Sequence, residues 1–458
     1  MIKLLPIYIL LILVAFTSCN NSNTNDATYF GGEIINPKDN FVLLYKDDIL
    51  LDSIFLDKKN RFTYVFNDFT PGLYHFKHKE YQYVYIEPKD SIILRLNTLD
   101  FDESLTFSGK GAHKNNFLIN TFLTNENHIK KSNILFKRTP KKFSTILSSE
   151  LNQRINNLNK YKKRYQFSDS FTSIANAHIK YHYYTLKERY PFQNKEQSDS
   201  INQISFYSHR KNIDLEKNNL GSFYPYYEYL YSLIDNLSLN KIDTNFNNKY
   251  LADYSTEISV IDSLFANKEL KNQILKNTTL DYLKVVKCEK DAKIIYDKFN
   301  SINTNFENKE KITTLVETIE CLSVGKKLPE FKVVLNSSDK TISFKSTLKK
   351  KPTVVYFWSS KYPRHIKSVQ NKINSYKNTD FTFIGISLDK DKKNWKMYSK
   401  MFNFNYNYTL ENPIETRKKL LIQNINKIYV INEKTEILSS NLNIFDPLFN
   451  KKLNKLNK

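Results

Sequence analysis

The 458-residue sequence has few glycines and cysteines: 8 Gly and 3 Cys, alongside 12 Pro, 3 Met and 2 Trp. So little glycine excludes a collagen-like chain and leaves almost no material for a glycine-rich, phosphate-cradling loop. Three cysteines cannot build a disulfide-stapled scaffold. Only one long apolar run occurs, residues 4–16, which excludes a polytopic membrane protein. Acidic side chains are also short in supply: Asp+Glu 47 against Lys+Arg 69, a formal net charge of +22. That surplus makes nucleic acid, an anionic surface or plain solvation the partners to weigh first. What the chain does have is apolar material. It is 40% hydrophobic, with 31 Tyr and 32 Phe, enough to bury packed cores and to exclude wholesale disorder.

The first residues point to a compartment. Met1-Ile2-Lys3 is a short basic start. The apolar run after it is too short to span a bilayer as a helix and suits a signal peptide. It closes on Phe16-Thr17-Ser18-Cys19, and the polar residues 20–25 follow. A hydrophobic run, small residues and one Cys resemble a bacterial lipoprotein signal. The resemblance implies a signal peptide over residues 1–18, lipidation of Cys19 on sulfur, and a polar tether over 19–27. Several acyl chains on one residue anchor stably, whereas a single chain binds reversibly. The expected location is then the cell envelope, at the outer membrane. The membrane is a partner through Cys19, and nucleic acid is not a partner.

Residues 28–111 read as short β-rich runs separated by turn signals. The turns are Asn36-Pro37-Lys38-Asp39, Asp57-Lys58-Lys59-Asn60, Pro71-Gly72 and Glu87-Pro88-Lys89-Asp90. Their spacing predicts a β-sandwich. Phe30-Gly31-Gly32, Arg61-Phe62, Ile86-Glu87-Pro88-Lys89-Asp90 and Phe107-Ser108-Gly109-Lys110-Gly111 are similar to a small domain of unknown function. That domain stands at the front of many Bacteroidota lipoproteins, and it brings no known catalytic residue.

Residues 112–322 read as helical. Phe171, Ile174, Ala175, His178, Ile179, His182, Tyr183 and Leu186 follow a 3.6-residue period. Asn-rich connectors interrupt the pattern. From 323 to 458, strand and helix signals alternate, which predicts a mostly parallel sheet covered by helices. Pro363 is placed to open one of those helices. The expected fold class is α+β multidomain: a β-sandwich, a helical middle and a C-terminal α/β domain.

Landmarks in that last segment fall in a definite order. They are Gly325-Lys326-Lys327-Leu328-Pro329-Glu330-Phe331, then Val354-Val355-Tyr356-Phe357-Trp358-Ser359-Ser360, then Gly385-Ile386-Ser387-Leu388-Asp389, then Trp395. The order resembles TlpA/ResA-type thioredoxin-like proteins, which implies a thioredoxin-like domain over 323–458. That family works through two cysteines spaced C-x-x-C at a helix start, the thiolate being the nucleophile. Here the two positions hold Tyr362 and His365, in Lys361-Tyr362-Pro363-Arg364-His365. A phenol with a pKa of about 10 cannot replace a thiolate. The family's cis-proline position holds Asn426, where a trans bond is expected because a cis non-proline bond costs about 2.5–4 kcal/mol. Tyr362, Pro363, Arg364, His365 and Asn426 are therefore expected to mark a vestigial groove with no catalytic residue.

Other candidates are weaker. Cys288 and Cys321 lie in two predicted helices, and a structural disulfide between them is left open. His178 and His182 have metal-like spacing but sit on the apolar stripe, so core histidines are expected. His75 and His78 would point to opposite faces of a strand. Asp389 and Asp391 read as a loop and a helix cap. Four Asp-Ser-aliphatic triplets, beginning at Asp52, Asp90, Asp199 and Asp262, resemble an O-glycosylation signal, with turn and cap chemistry as the plainer reading. The lysines are scattered and show no stripe interleaved with aromatics. No cofactor and no metal are expected. The expected function is non-enzymatic: an envelope-anchored module that binds or scaffolds a protein, peptide or glycan. The alternative is a thiol-disulfide oxidoreductase acting through Cys288, Cys321 or a partner.

Overall fold

The computed structural model describes residues 27–456 except 216–219, 221–222, 240, 242–247, 287, 377–379, 403 and 405. Cys19 and the expected signal peptide over residues 1–18 lie outside the described residues. The chain divides between Leu237 and Ser238 into two compact units. The helices of residues 112–322 are shared between them.

The first unit opens with β1 (Tyr29–Ile35), β2 (Phe41–Lys46), β3 (Ile49–Phe55), β4 (Arg61–Val65), β5 (Gly72–His78), β6 (Glu80–Ile86), β7 (Ser91–Asn97) and β8 (Thr106–Lys110). They form two four-stranded sheets, ordered β4-β1-β7-β8 and β3-β2-β5-β6. Neighbours are antiparallel except β1 and β7, which run parallel with Tyr29 opposite Ser91. Because side chains alternate along a strand, each sheet presents one apolar face. Phe30, Ile34, Ile92 and Leu94 meet Val42, Leu44, Phe76 and Val84 in one buried cluster. The expected β-sandwich is present.

The Glu87–Asp90 turn meets Gly111 and Lys114 at one place. Lys114 Nζ lies 2.8 Å from Asp90 and also bonds Glu87. Gly111, at φ +93°, lies beside them, and a Cβ there would fall 2.6 Å from the Asp90 carboxyl carbon. Only glycine fits that position without strain.

Three helices follow: α1 (Ala112–Phe136), α2 (Pro140–Tyr165) and α3 (Asp169–Gln193). α1 lays Ala112 and Ile119 into the sandwich core. Ser168 caps α3 by accepting from Phe171 N at 3.0 Å. The eight periodic residues read from the sequence of α3 are all buried. α4 (Tyr224–Ser238) comes next.

Burial holds His75, His128, His178, His182 and His209 below the usual histidine range, and His178 falls to about 3. These imidazoles fold neutral. A group whose folded pKa is depressed contributes stability above its unfolded pKa and loses it as pH falls. Lowering the pH from 7 to 5 is therefore expected to remove about 2 kcal/mol through His178 alone. Thermal unfolding at the two pH values checks this, and a His178→Phe variant should lose that part of the pH dependence.

The second unit begins with α5 (Lys249–Leu264), α6 (Lys268–Val285), α7 (Glu289–Ile302) and α8 (Phe306–Cys321). Asn248, Asn267 and Asn305 cap three of them through their side chains, which is what the Asn-rich connectors supply. Seven strands follow: β9 (Lys332–Leu335), β10 (Thr341–Ser343), β11 (Thr353–Trp358), β12 (Thr382–Ser387), β13 (Asn407–Leu410), β14 (Ile428–Ile431) and β15 (Ile437–Ser439). Their order is β10-β9-β13-β12-β11-β14-β15. The helices α9 (Pro363–Ser375), α10 (Lys392–Met401), α11 (Pro413–Lys419) and α12 (Phe449–Lys455) complete the domain. Val355, Phe357, Ile384 and Ile386 pack on one face, and Val354, Trp358, Val369 and Trp395 on the other.

The mostly parallel sheet is corrected. Only β11–β12 and β12–β13 are parallel, and the other four neighbour pairs are antiparallel. The short links β9–β10 and β14–β15 can only reverse the chain, since parallel strands need a long crossover. Among the described residues no helix is long and apolar enough to cross a membrane.

Candidate functional site

β11 carries six buried residues and ends at Trp358, whose indole Nε1 donates to Asn407 Oδ1 at 3.0 Å. The chain then turns through Ser359 and Ser360. Asp389, nearly buried just past the end of β12, holds this turn. It accepts from Ser359 Oγ at 2.6 Å and from Ser360 N at 2.9 and 3.1 Å. Charge-assisted bonds of this kind are about twice as strong as neutral ones. Asp391 caps α10 through Lys393 N at 2.8 Å. The two aspartates are thus a loop anchor and a helix cap.

The held loop delivers the start of α9. Tyr362 is its N-cap residue, with an exposed side chain that makes no capping bond, and Pro363 is its first residue. Arg364 is exposed beside them. His365 reaches across to the loop before β14, where its Nε2 lies 3.0 Å from Asn426 Oδ1. Its ring meets Phe445 edge-on at 5.7 Å, and its Nδ1 is buried without a partner. Burial pushes His365 down while the Asn426 bond opposes the shift. The five residues read from the sequence therefore share one locus, and His365 and Asn426 touch across 61 positions of sequence. No peptide bond among the described residues is cis.

Both described cysteines are free and exposed. Cys288 is the N-cap residue of α7 and spends no side-chain bond there. It lines a cavity of about 280 Å³ together with Leu322, Asn424, Lys427 and Tyr429; Cys321 does not. Lys427 follows Asn426 in sequence, but neither Asn426 nor His365 lines this cavity. Burial pushes Lys427 down to about 8, and its Nζ stands 4.9 Å from the Tyr429 ring centre. At neutral pH the amine carries its charge, and it loses that charge near pH 8. Neither Lys427 nor its place in one cavity with Cys288 was legible in the sequence, where they lie 139 positions apart.

The other histidines fall apart as sites. His182 Nε2 lies 2.9 Å from His128 Nδ1. His78 is buried on the sandwich core face, while His75 stacks on Tyr45 on the other. Among the described residues no group of three or more His, Cys, Asp or Glu is placed to hold a metal.

A family model described as thioredoxin-like matches residues 349–437, which run from the approach to β11 to the first residue of β15. The C-terminal domain is thioredoxin-like. The match does not extend to the sandwich or the helices before it. Solved structures from Bacteroides species also align. The thioredoxin domain of a thiol-disulfide oxidoreductase from Bacteroides vulgatus is 18% identical, with 30% of this chain and 99% of that one covered and a TM-score of 0.26. The C-terminal domain of a thiol-disulfide oxidoreductase from Bacteroides thetaiotaomicron is 23% identical, over 30% and 97% of the two chains, at 0.25. A thioredoxin-like protein from Bacteroides caccae is 15% identical over 54% and 88%, at 0.35. No curated protein matches the sequence.

The expectation that the chain is no enzyme is corrected here. The thioredoxin-like match over residues 349–437 leaves that expectation without support. The physical reason is local. Tyr362 and His365 remove one reactive pair, but not every accessible thiol of the chain.

Proposed function

We propose that this chain is an envelope-anchored thiol-disulfide exchange protein in which Cys288 supplies the reactive sulfur. The loop of Tyr362, Pro363, Arg364, His365 and Asn426 docks the cysteine-bearing segment of a protein or peptide. The observation that carries this reading is the exposed, unpaired Cys288 in a cavity shared with Lys427. A thiolate is the attacking species in exchange. A charged lysine lining the same cavity favours an anion there.

In the proposed step the Cys288 thiolate attacks one sulfur of a substrate disulfide. A mixed disulfide forms, and the substrate's other sulfur leaves as a thiolate. A second thiolate, from the substrate or from glutathione, attacks the substrate sulfur of the mixed disulfide; a new S–S bond forms between those two sulfurs and Cys288 leaves as a thiolate. No second cysteine of this chain is needed.

Insulin reduction with glutathione tests it on the chain from residue 19 onward. Cys288→Ser is expected to drop the rate to the buffer background, and Cys321→Ser to leave it unchanged. A wild-type rate at background, or full activity in Cys288→Ser, sinks the proposal. Anchoring is tested separately: Cys19→Ala is expected to move the chain from the membrane pellet to the soluble fraction. Unchanged pelleting would refute the lipid anchor.

A further inference from the structure

A second cavity, of about 240 Å³, lies wholly within the first unit, between β6, α1, α3 and the start of α4. We propose that it binds a small organic cation, an ammonium carried on a short apolar or aromatic stem. The inference is independent of Cys288 and its chemistry.

The charge of the lining is the first argument. Asp102, Glu126 and Glu228 line the cavity, and no Lys or Arg does among the described residues. That is the reverse of a chain whose net charge is +22. Two of these carboxylates are already paired: Glu228 with Arg189 at 3.1 Å and Glu126 with Lys130 at 3.6 Å. Asp102 has no cation within ion-pair distance among the described residues. It accepts one bond, from Gln82 Nε2 at 2.8 Å. Burial raises its pKa, and Glu80, Glu103 and Glu126 add to that rise. A bound cation would relieve both effects.

The walls are the second argument. Tyr81 and Tyr83 meet edge-on at 6.0 Å, and Tyr83 meets Phe223 at 5.4 Å. The Tyr224 backbone N–H donates to the Tyr83 hydroxyl at 2.7 Å, which fixes the α4 side of the cavity against the sheet. Aromatic faces attract ammonium groups, most strongly where water is excluded.

His178 is the third argument. It lines the cavity, is 5% exposed and packs on Phe223, yet its Nδ1 has no hydrogen-bond partner. Burial and Arg154 keep the ring neutral at physiological pH. A neutral imidazole nitrogen can accept from an ammonium. Arg154 itself is held by Asn125 Oδ1 at 2.5 Å and does not line the cavity. Drug-sized sites measure about 300–1,000 Å³, so this one suits a smaller ligand.

Titration calorimetry on the chain from residue 19 onward, with benzylamine, benzyl alcohol and benzoate, tests the proposal. Benzylamine is expected to bind, benzyl alcohol to bind about tenfold or more weakly, and benzoate not to bind. Asp102→Asn retains an acceptor for Gln82 and is expected to weaken benzylamine about tenfold or more. Tyr81→Leu, at a residue 47% exposed, removes a ring without disturbing the core and is expected to weaken binding about threefold. Equal affinity for amine and alcohol, unchanged affinity in Asp102→Asn, or no heat up to about 10 mM benzylamine overturns the proposal.

Discussion

Lys114→Ala is expected to lower the unfolding free energy of the first unit by about 3–5 kcal/mol. Lys114 is 7% exposed and Asp90 3% exposed, so the pair sits where water cannot screen either charge. Lys114 Nζ bonds both Asp90 and Glu87 and lies 5.9 Å from the Tyr85 ring centre. Removing the amine leaves a buried carboxylate that also accepts from Glu87 N at 2.8 Å and so cannot turn away. The cost is that of an uncompensated buried charge rather than of one lost contact. Removing both charges is expected to recover most of it, so Lys114→Met with Asp90→Asn should unfold nearer the wild-type midpoint. Urea unfolding measures the cycle. A loss under about 1 kcal/mol for Lys114→Ala would place the pair among surface bridges.

Arg210→Ala is expected to have a similar cost, about 3–5 kcal/mol. Glu188 is fully buried, and the Arg210 guanidinium grips both its carboxylate oxygens, with Nε 2.9 Å from Oε1. His209 Nε2 also lies 2.8 Å from Oε1. Burial pushes the imidazole down, so at neutral pH it donates a hydrogen bond and carries no charge. Among the described residues Arg210 is thus the sole counter-charge in contact with Glu188. Arg210→Lys should recover only part of the loss, because an ammonium cannot match the two-pronged grip of the guanidinium. Thermal unfolding of both variants checks this. Equal midpoints for Ala and Lys would mean that the geometry of the grip contributes nothing.

Much of this fold was legible in the chain order of its residues. The strand runs of 28–111, the buried stripe of α3, Pro363 at the start of α9 and the thioredoxin-like landmarks all occur where pattern and turn chemistry put them. The meeting of His365 and Asn426 was legible too, because the family order placed them at positions the fold brings together. The parallel sheet was not. Alternation of apolar residues says which segments are strands, but not which neighbour each takes. Two short reversals account for the edge pairs β9–β10 and β14–β15, and the chain also sets β9 against β13 and β14 against β11 antiparallel.

The sequence by itself determined the element types, the sandwich, the thioredoxin-like C-terminal domain and the absence of a C-x-x-C pair. Those are properties of short segments, set by side-chain period and local turns. Only the tertiary structure decided that Cys288 and Lys427 line one cavity and that the sandwich and helices enclose an acidic cavity in a basic chain. It also decided that Glu188 lies buried under Arg210 and His209. Such sites are made by residues far apart in sequence, and their chemistry comes from burial. Burial belongs to packing, and no local pattern encodes which charged groups it will remove from water.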